Sequence, residues 1–259
     1  MNDINLVELT GAHIHPALEK MEYDNWFLQF SGGGASRRSN SILPLENGKL
    51  PLEQKVSECE KIYAEHNLPC TFKMTKAAPD GLFELLQKKG YAYNAETNLM
   101  TVMADDETFV TRCENLIEPE DIGVIITSAP DDEWYNCYFK WENRTDPKAI
   151  EVTKKQNDMV DTDENLSAVY CRIQIHGVDV AVASAVIENG VAFLLNVVVD
   201  EKVRGKGYGK ILVKETLEAA CNFGAEKLCL QVLADNTVAV KLYESFGFKF
   251  FYKYWYMVK

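Results

Sequence analysis

The stretch from Asn196 to Lys210 constrains this chain more than any other. An apolar strand ending in Val197, Val198 and Val199 leads through Asp200 into Arg204-Gly205-Lys206-Gly207-Tyr208-Gly209, and from there directly into a helix-favouring run, Lys210 to Cys221. A glycine-rich turn between a buried strand and a helix start leaves backbone N–H groups without partners, facing outward where the helix dipole favours negative charge. The stretch therefore reads as a phosphate or pyrophosphate site, with Lys206 and Lys210 adding positive charge. A P-loop is excluded, because Lys210 is followed by Ile211 and not by Ser or Thr. A Rossmann turn is disfavoured, because the glycines alternate and hairpins, not a βαβ unit, precede them.

Length and composition bound the rest. A chain of 259 residues with 47% hydrophobic content makes one large or two ordinary domains. A net charge of −12 argues against nucleic acid as a partner and suits a cationic acceptor. The seven cysteines are scattered through apolar runs without metal-ligand spacing, so they read as reduced core thiols, and no metal is expected. His13 and His15 lack ligands at matching spacing and read as surface residues. No leader-like N-terminus is present and no apolar run reaches about 18 residues, so a cytoplasmic protein without membrane contact is expected.

In chain order, Trp26 to Phe30 is strand-like, Ser31 to Ser36 a Gly/Ser turn, and Arg37 to Leu43 a second strand pattern. Arg38 and Asn40 there are suited to hold an anionic or amide group, or else mark a solvated hairpin edge. A helix is predicted from Pro51 to His66, a strand over 70–74, a helix over 79–89 and a strand over 98–103. Shifting by 157 (247 − 90) lays Gly90-Tyr91 on Gly247-Phe248 and brings the flanking helices and strands into register, which predicts two copies of one unit. The first copy lacks the glycine turn, and Leu86 stands where Tyr243 stands in the second. An acidic connector from Asp105 to Asp121 puts the boundary near 112–120, giving domains 1–112 and 118–259.

In the second half, Asp131 to Glu133 suits a helix first turn. Trp134, Cys137, Tyr138 and Trp141 make one aromatic face, read as core or as a pocket wall. Asp146-Pro147 opens a second helix reaching Met159. Strands follow at 166–174, 178–187 and 191–199, with turns at His176-Gly177 and Asn189-Gly190, an antiparallel meander that delivers its last strand into the glycine turn. A helix to Phe223-Gly224, a strand over 227–233, a helix over 237–246 and an aromatic strand pair over 248–258 complete the chain.

This order of elements, with Arg-x-x-Gly-x-Gly at Arg204, Gly207 and Gly209, then Ala234-Asp235-Asn236 and Leu242-Tyr243-Glu244-Ser245-Phe246-Gly247-Phe248, resembles the GNAT acetyltransferase family over residues 120 to 259. The N-terminal half resembles a degenerate module of the same kind. The resemblance implies an α/β (α+β) fold of two such modules, each a mixed, mostly antiparallel sheet flanked by helices. It implies an acetyl-CoA-dependent N-acetyltransferase acting on a primary amine of a small molecule or peptide, as a monomer or homodimer. Arg204, Gly205, Lys206, Gly207, Tyr208, Gly209 and Lys210 would hold the pyrophosphate, and the backbone of Val197, Val198 and Val199 the pantetheine. Asn236 would bond the cofactor arm, and Tyr243 would protonate the departing thiolate. Gln231 stands where many members carry a glutamate base, and it accepts no proton near neutral pH. That leaves a rival reading, a non-catalytic acyl-CoA-binding or regulatory protein. Trp26, Arg38, Asn40, Trp134 and Gln231 are candidates to line an acceptor pocket.

Overall fold

A computed structural model describes residues 3–259. The elements run α1 (Asp3–Ile14), β1 (Glu19–Tyr23), β2 (Trp26–Phe30), β3 (Ile42–Leu43), α2 (Leu52–Glu65), β4 (Thr71–Thr75), α3 (Leu82–Lys88), β5 (Ala92–Met103) and α4 (Glu107–Glu114). They continue with β6 (Ile122–Thr127), α5 (Asp132–Trp141), α6 (Pro147–Thr162), β7 (Leu166–Ile175), β8 (Val178–Glu188), β9 (Val191–Val199), α7 (Tyr208–Asn222), β10 (Lys227–Leu233), α8 (Thr237–Glu244) and β11 (Lys249–Val258). Two compact units result: Met1–Asn98 with Pro147–Gln156 and Tyr252–Lys259, and Leu99–Asp146 with Asn157–Phe251.

The first unit has strands in the order β1-β2-β3-β4-β11, antiparallel except for the β3–β4 pair. Asp24 and Asn25, both at positive φ, turn β1 into β2. Asp and Asn tolerate that conformation better than other side chains. Alternate residues of β2 and β4, Trp26, Leu28, Phe30, Phe72 and Met74, pack with Val56, Cys59 and Tyr63 of α2 and Leu82 and Leu86 of α3 into one core. Polar groups of α1 are buried by long-range pairing: Glu8 holds Lys73 Nζ at 2.5 Å and accepts from the Tyr252 hydroxyl at 2.6 Å.

The second unit has the order β6-β7-β8-β9-β10, antiparallel except for β9–β10. His176-Gly177 and Asn189-Gly190 close its hairpins at positive φ. Ile211, Leu212, Val213, Leu217 and Ala220 of α7 pack against Val169, Ala183, Leu228, Leu230, Phe246 and Phe248.

Shifting by 157 carries 52–65 onto 209–222 and 92–103 onto 249–260, against α7 at 208–222 and β11 at 249–258. Three expectations differ from the structure. Arg37–Ser39 form one turn of 3-10 helix, so only Ile42–Leu43 is strand. The expected connector contains α4, capped by Asp106, with Phe109 and Cys113 in the second core. The aromatic C-terminus is one ten-residue strand and not an edge hairpin: β11 pairs with β4, and no turn residue interrupts 248–258.

Candidate functional site

β9 pairs with β8 from Val191 to Val199, but the register slips between Val182 and Ser184. The slip is a bulge at Asn196, which adopts φ +54 and donates from Nδ2 to Ser184 Oγ at 2.9 Å. A bulge bends its strand away from the sheet. On its other side β9 pairs with β10 only from Lys227↔Val191 to Leu230↔Leu194. Beyond that point Leu195–Val199 and Gln231–Leu233 continue without pairing each other. The parted strands leave ladder groups available to the amides of an extended ligand, as in strand addition. The side chains of Val197 to Val199 stay half-buried or buried.

The glycine turn follows directly. Gly205 at φ +79 and Gly207 at φ +92 occupy the left-handed region, with nothing within 4 Å of a would-be Cβ, so conformation and not space requires glycine there. Gly207 is the N-cap of α7, and the first bond back to the turn is Lys210 N–H to the Gly207 carbonyl at 2.9 Å. Among the described residues, the backbone N–H groups from Gly205 to Gly209 have no partner. Arg204 Nε donates to the Val199 carbonyl at 3.2 Å, which ties the turn to the end of β9. Lys206 and Lys210 are exposed on either side of the turn. A Cβ on Gly209 would stand 3.6 Å from Val199 and 3.8 Å from Leu242, so the turn, β9 and α8 meet there.

On α8, Asn236 caps the helix, its Oδ1 accepting from Ala239 N–H at 3.1 Å. Its Nδ2 remains a donor. Tyr243 is 7% exposed, lies 6.1 Å from the Phe248 ring, and burial alone pushes its phenol up to about 12. It is a protonated donor throughout the physiological range. Gln231 sits half-buried on β10, one residue past the last pair with β9.

The other candidates fall elsewhere. Trp134 is 1% exposed, donates from Nε1 to the Ala183 carbonyl at 3.0 Å and stacks on Tyr138 at 5.1 Å, so it is core and not a pocket wall. Trp26 is likewise fully buried, its Nε1 donating to the Glu46 carbonyl at 3.1 Å. Asn40 spans the Gly/Ser turn: it accepts from Ser31 N–H at 2.6 Å and donates to the Gly32 carbonyl at 2.8 Å. Arg38 is half-buried, and its carbonyl accepts from Gln29 Nε2 at 3.1 Å. Asp131 caps α5 and pairs with Arg172 at 2.7 Å, while Asp132 and Glu133 of the same turn are exposed, as a solvated helix start.

One group that spacing did not single out is Asp161 at the end of α6. The residue is exposed at the end of the helix, but desolvation of its carboxyl where it meets Tyr170, then the Asp158 charge, push it up to about 6, while the hydrogen bond with Tyr170 opposes them. Tyr170 lies across the ladder from Ser184, the residue that holds the Asn196 bulge, so both side chains share a sheet face. Only the paired fold joins these positions; no local sequence signal does.

A strand parted at a bulge, an open glycine turn at a helix start and a buried tyrosine two helices on define the GNAT type of acyltransferase fold. The chain matches the family described as the C-terminal part of the probable histone acetyltransferase Rv0428c over residues 1–257. It is 26% identical, over 267 aligned positions covering all of both chains, to the uncharacterized N-acetyltransferase YobR of Bacillus subtilis. A GCN5-related N-acetyltransferase from Kribbella flavida superposes with TM-score 0.71 at 15% identity, covering 99% of this chain and 94% of the other. A tandem GNAT protein from the clavulanic acid biosynthesis pathway superposes with TM-score 0.68 at 12% identity, covering 98% and 87%. The chain belongs to the GNAT N-acetyltransferase family. Among the described residues no helix is long and apolar enough to cross a membrane.

Proposed function

We propose that the chain transfers an acetyl group from acetyl-CoA to a primary amine of a small molecule or peptide. The observation that carries this reading is the unbroken path from the parted end of β9 to the unpaired N–H groups of Gly205–Gly209. CoA has a matching order of parts: a pantetheine arm with two amides, then a pyrophosphate. The amides extend the β9 ladder, the pyrophosphate takes the N–H groups and the charges of Arg204, Lys206 and Lys210, and Asn236 Nδ2 reaches the arm.

In the reaction, the amine lone pair attacks the thioester carbonyl, whose oxygen takes up negative charge against backbone N–H groups of β9. The tetrahedral intermediate collapses, the C–S bond breaks, and the thiolate takes the proton of Tyr243. Gln231 cannot relieve the amine of its proton. That proton passes through water to Asp161, whose carboxylate is ionised above about pH 6. The rival reading, a non-catalytic acyl-CoA-binding or regulatory protein, draws its support from Gln231.

The test is CoA thiol release from acetyl-CoA over polyamines, amino acids, aminoglycosides and peptide N-termini. Tyr243→Phe should lower kcat about 10- to 100-fold, with acetyl-CoA affinity retained by calorimetry. Asp161→Asn should abolish the acid limb of kcat/KM near pH 6, while the wild type gains activity as pH rises through that value. Acetyl-CoA binding without turnover on any amine would favour the rival.

A further inference from the structure

The first unit holds a cavity of ≈ 420 Å³ beside the end of β4, the start of α3 and strands β5 and β11. Its aromatic wall is made by Phe83, Tyr93 and Trp255. Tyr93 stacks on Trp255 with centroids 5.8 Å apart and planes 21° apart, and Phe83 stands edge-on to Trp255 at 5.9 Å and 90°. Tyr93 is 50% exposed, so the wall is reachable from solvent. A volume of this size suits a small molecule.

The charges around the rings select its sign. Lys253 Nζ pairs with Glu96 Oε1 at 2.6 Å, and Glu96 Oε2 accepts from the Tyr93 hydroxyl at 2.5 Å, so those groups neutralise and fix one another. Asp80 and Glu84 also line the cavity, and among the described residues neither has a cationic partner. Ring faces carry negative potential, and two unpaired carboxylates beside them attract cations and repel anions.

The repeat sharpens the choice. A shift of 157 carries Pro79 to Asn236, the N-cap of α8, and Glu84 to Lys241, in the last turn of that helix. A side-chain amide and an ammonium in the second unit therefore correspond to a proline ring and a carboxylate in the first. At this one position of the repeated unit the charge is reversed, and the first unit carries the negative sign.

We propose that this cavity binds a small organic cation, an alkylammonium or quaternary ammonium group, held against Tyr93 and Trp255 with Asp80 and Glu84 as counter-charges. It is a site separate from the acetyl-transfer machinery of the second unit and does not depend on that reading.

The test uses tetramethylammonium chloride on the full chain. This cation has no N–H to acetylate, so it cannot report an acceptor site, and a failure of acetyl transfer leaves its result standing. Calorimetry or tryptophan fluorescence should show saturable binding that weakens in high salt. The Asp80→Asn, Glu84→Gln double variant should weaken it about tenfold, and Tyr93→Ala about fivefold. These side chains lie on the surface, and an unchanged melting temperature verifies the fold of each variant. Acetyl-CoA, an anion, should not compete. Absence of saturation up to roughly 50 mM, or binding equal in wild type and both variants, overturns the proposal.

Discussion

Two helix starts that correspond across the shift of 157 treat their backbone N–H groups in opposite ways. Before α7, the groups from Gly205 to Gly209 have no protein partner. Before α2, the corresponding residues are Gly48, Lys49, Leu50, Pro51 and Leu52. There Asp24 fills the place of an anion, its carboxylate accepting from Lys49 N–H at 2.7 Å and Leu50 N–H at 3.0 Å. Pro51 offers no N–H at all. Lys55, with its side chain fully buried, pairs with Asp24 Oδ2 at 3.1 Å and donates to the Asp24 carbonyl at 2.7 Å. A Cβ at Gly48 would stand 1.9 Å from Asp24 Oδ2, so glycine persists there to admit a carboxylate. A helix start without its ligand still needs acceptors, and the first unit supplies one from its own chain.

The largest expected effect that tests this contrast comes from Asp24→Ala, which leaves the buried Lys55 without its carboxylate and with only the backbone carbonyl of residue 24 to accept from it. The melting temperature should fall by several degrees at neutral pH. Hydrogen bonds from Lys49 N–H, then Leu50 N–H and Lys55, hold the Asp24 carboxyl below its ordinary value against the opposing effect of burial. A lowered carboxyl contributes stability above the unfolded-chain value and loses it as pH falls through the native one. The gap between wild type and variant should therefore be widest near pH 7 and close on acidification. An equal gap at pH 3 and pH 7 would show that the carboxylate charge is not what closes this helix start.

How much of this was legible in the sequence depends on the distance over which each signal acts. The glycine turn is contiguous chemistry, strand then turn then helix, and Gly207 and Gly209 could be read directly. The repeat survived in helix lengths and in Gly90 and Gly247. Asp24 could not be read, because its partners lie some two dozen residues on in a loop without regular structure. The helix α1 was hidden for a related reason: Asn5 and Glu8 interrupt its apolar pattern, yet both are buried, Glu8 through Lys73 and Tyr252. Trp26 and Trp134 were ambiguous because an aromatic on a strand or a helix face looks the same whether it faces a cavity or a core. Only the pairing of their indole N–H groups with the Glu46 and Ala183 carbonyls decides it. Asp106 and Phe109-x-x-x-Cys113 did carry a cap and an i,i+4 apolar pair, but the run of acids around them read as connector.

A second, smaller effect separates the two glycines at this place in the repeat. Gly205→Ala forces a side chain into φ +79, a cost of about 1–2 kcal/mol, and turns the N–H groups of the turn out of alignment. KM for acetyl-CoA should rise about tenfold. Gly48→Ala meets the Asp24 carboxylate instead and should lower the melting temperature while leaving that KM unchanged. If both raised KM alike, the two turns would not be functionally opposite.

The smallest effect belongs to the lysines. Lys206 and Lys210 are exposed, and an exposed ammonium near a phosphate is a screened point charge with nothing else to hold it. Lys206→Ala and Lys210→Ala should each raise KM for acetyl-CoA only about two- to fivefold at low salt, and not at all in about 0.5 M salt, where the Debye length falls to a few ångströms. Lys49, the counterpart of Lys206, spends its backbone N–H on Asp24, so Lys49→Ala should leave KM unchanged at every salt concentration. A salt-independent loss in Lys206→Ala would mean that this side chain is held in a fixed bond and does more than lend charge. The backbone N–H groups would then share with it the anion recognition that is here assigned to them.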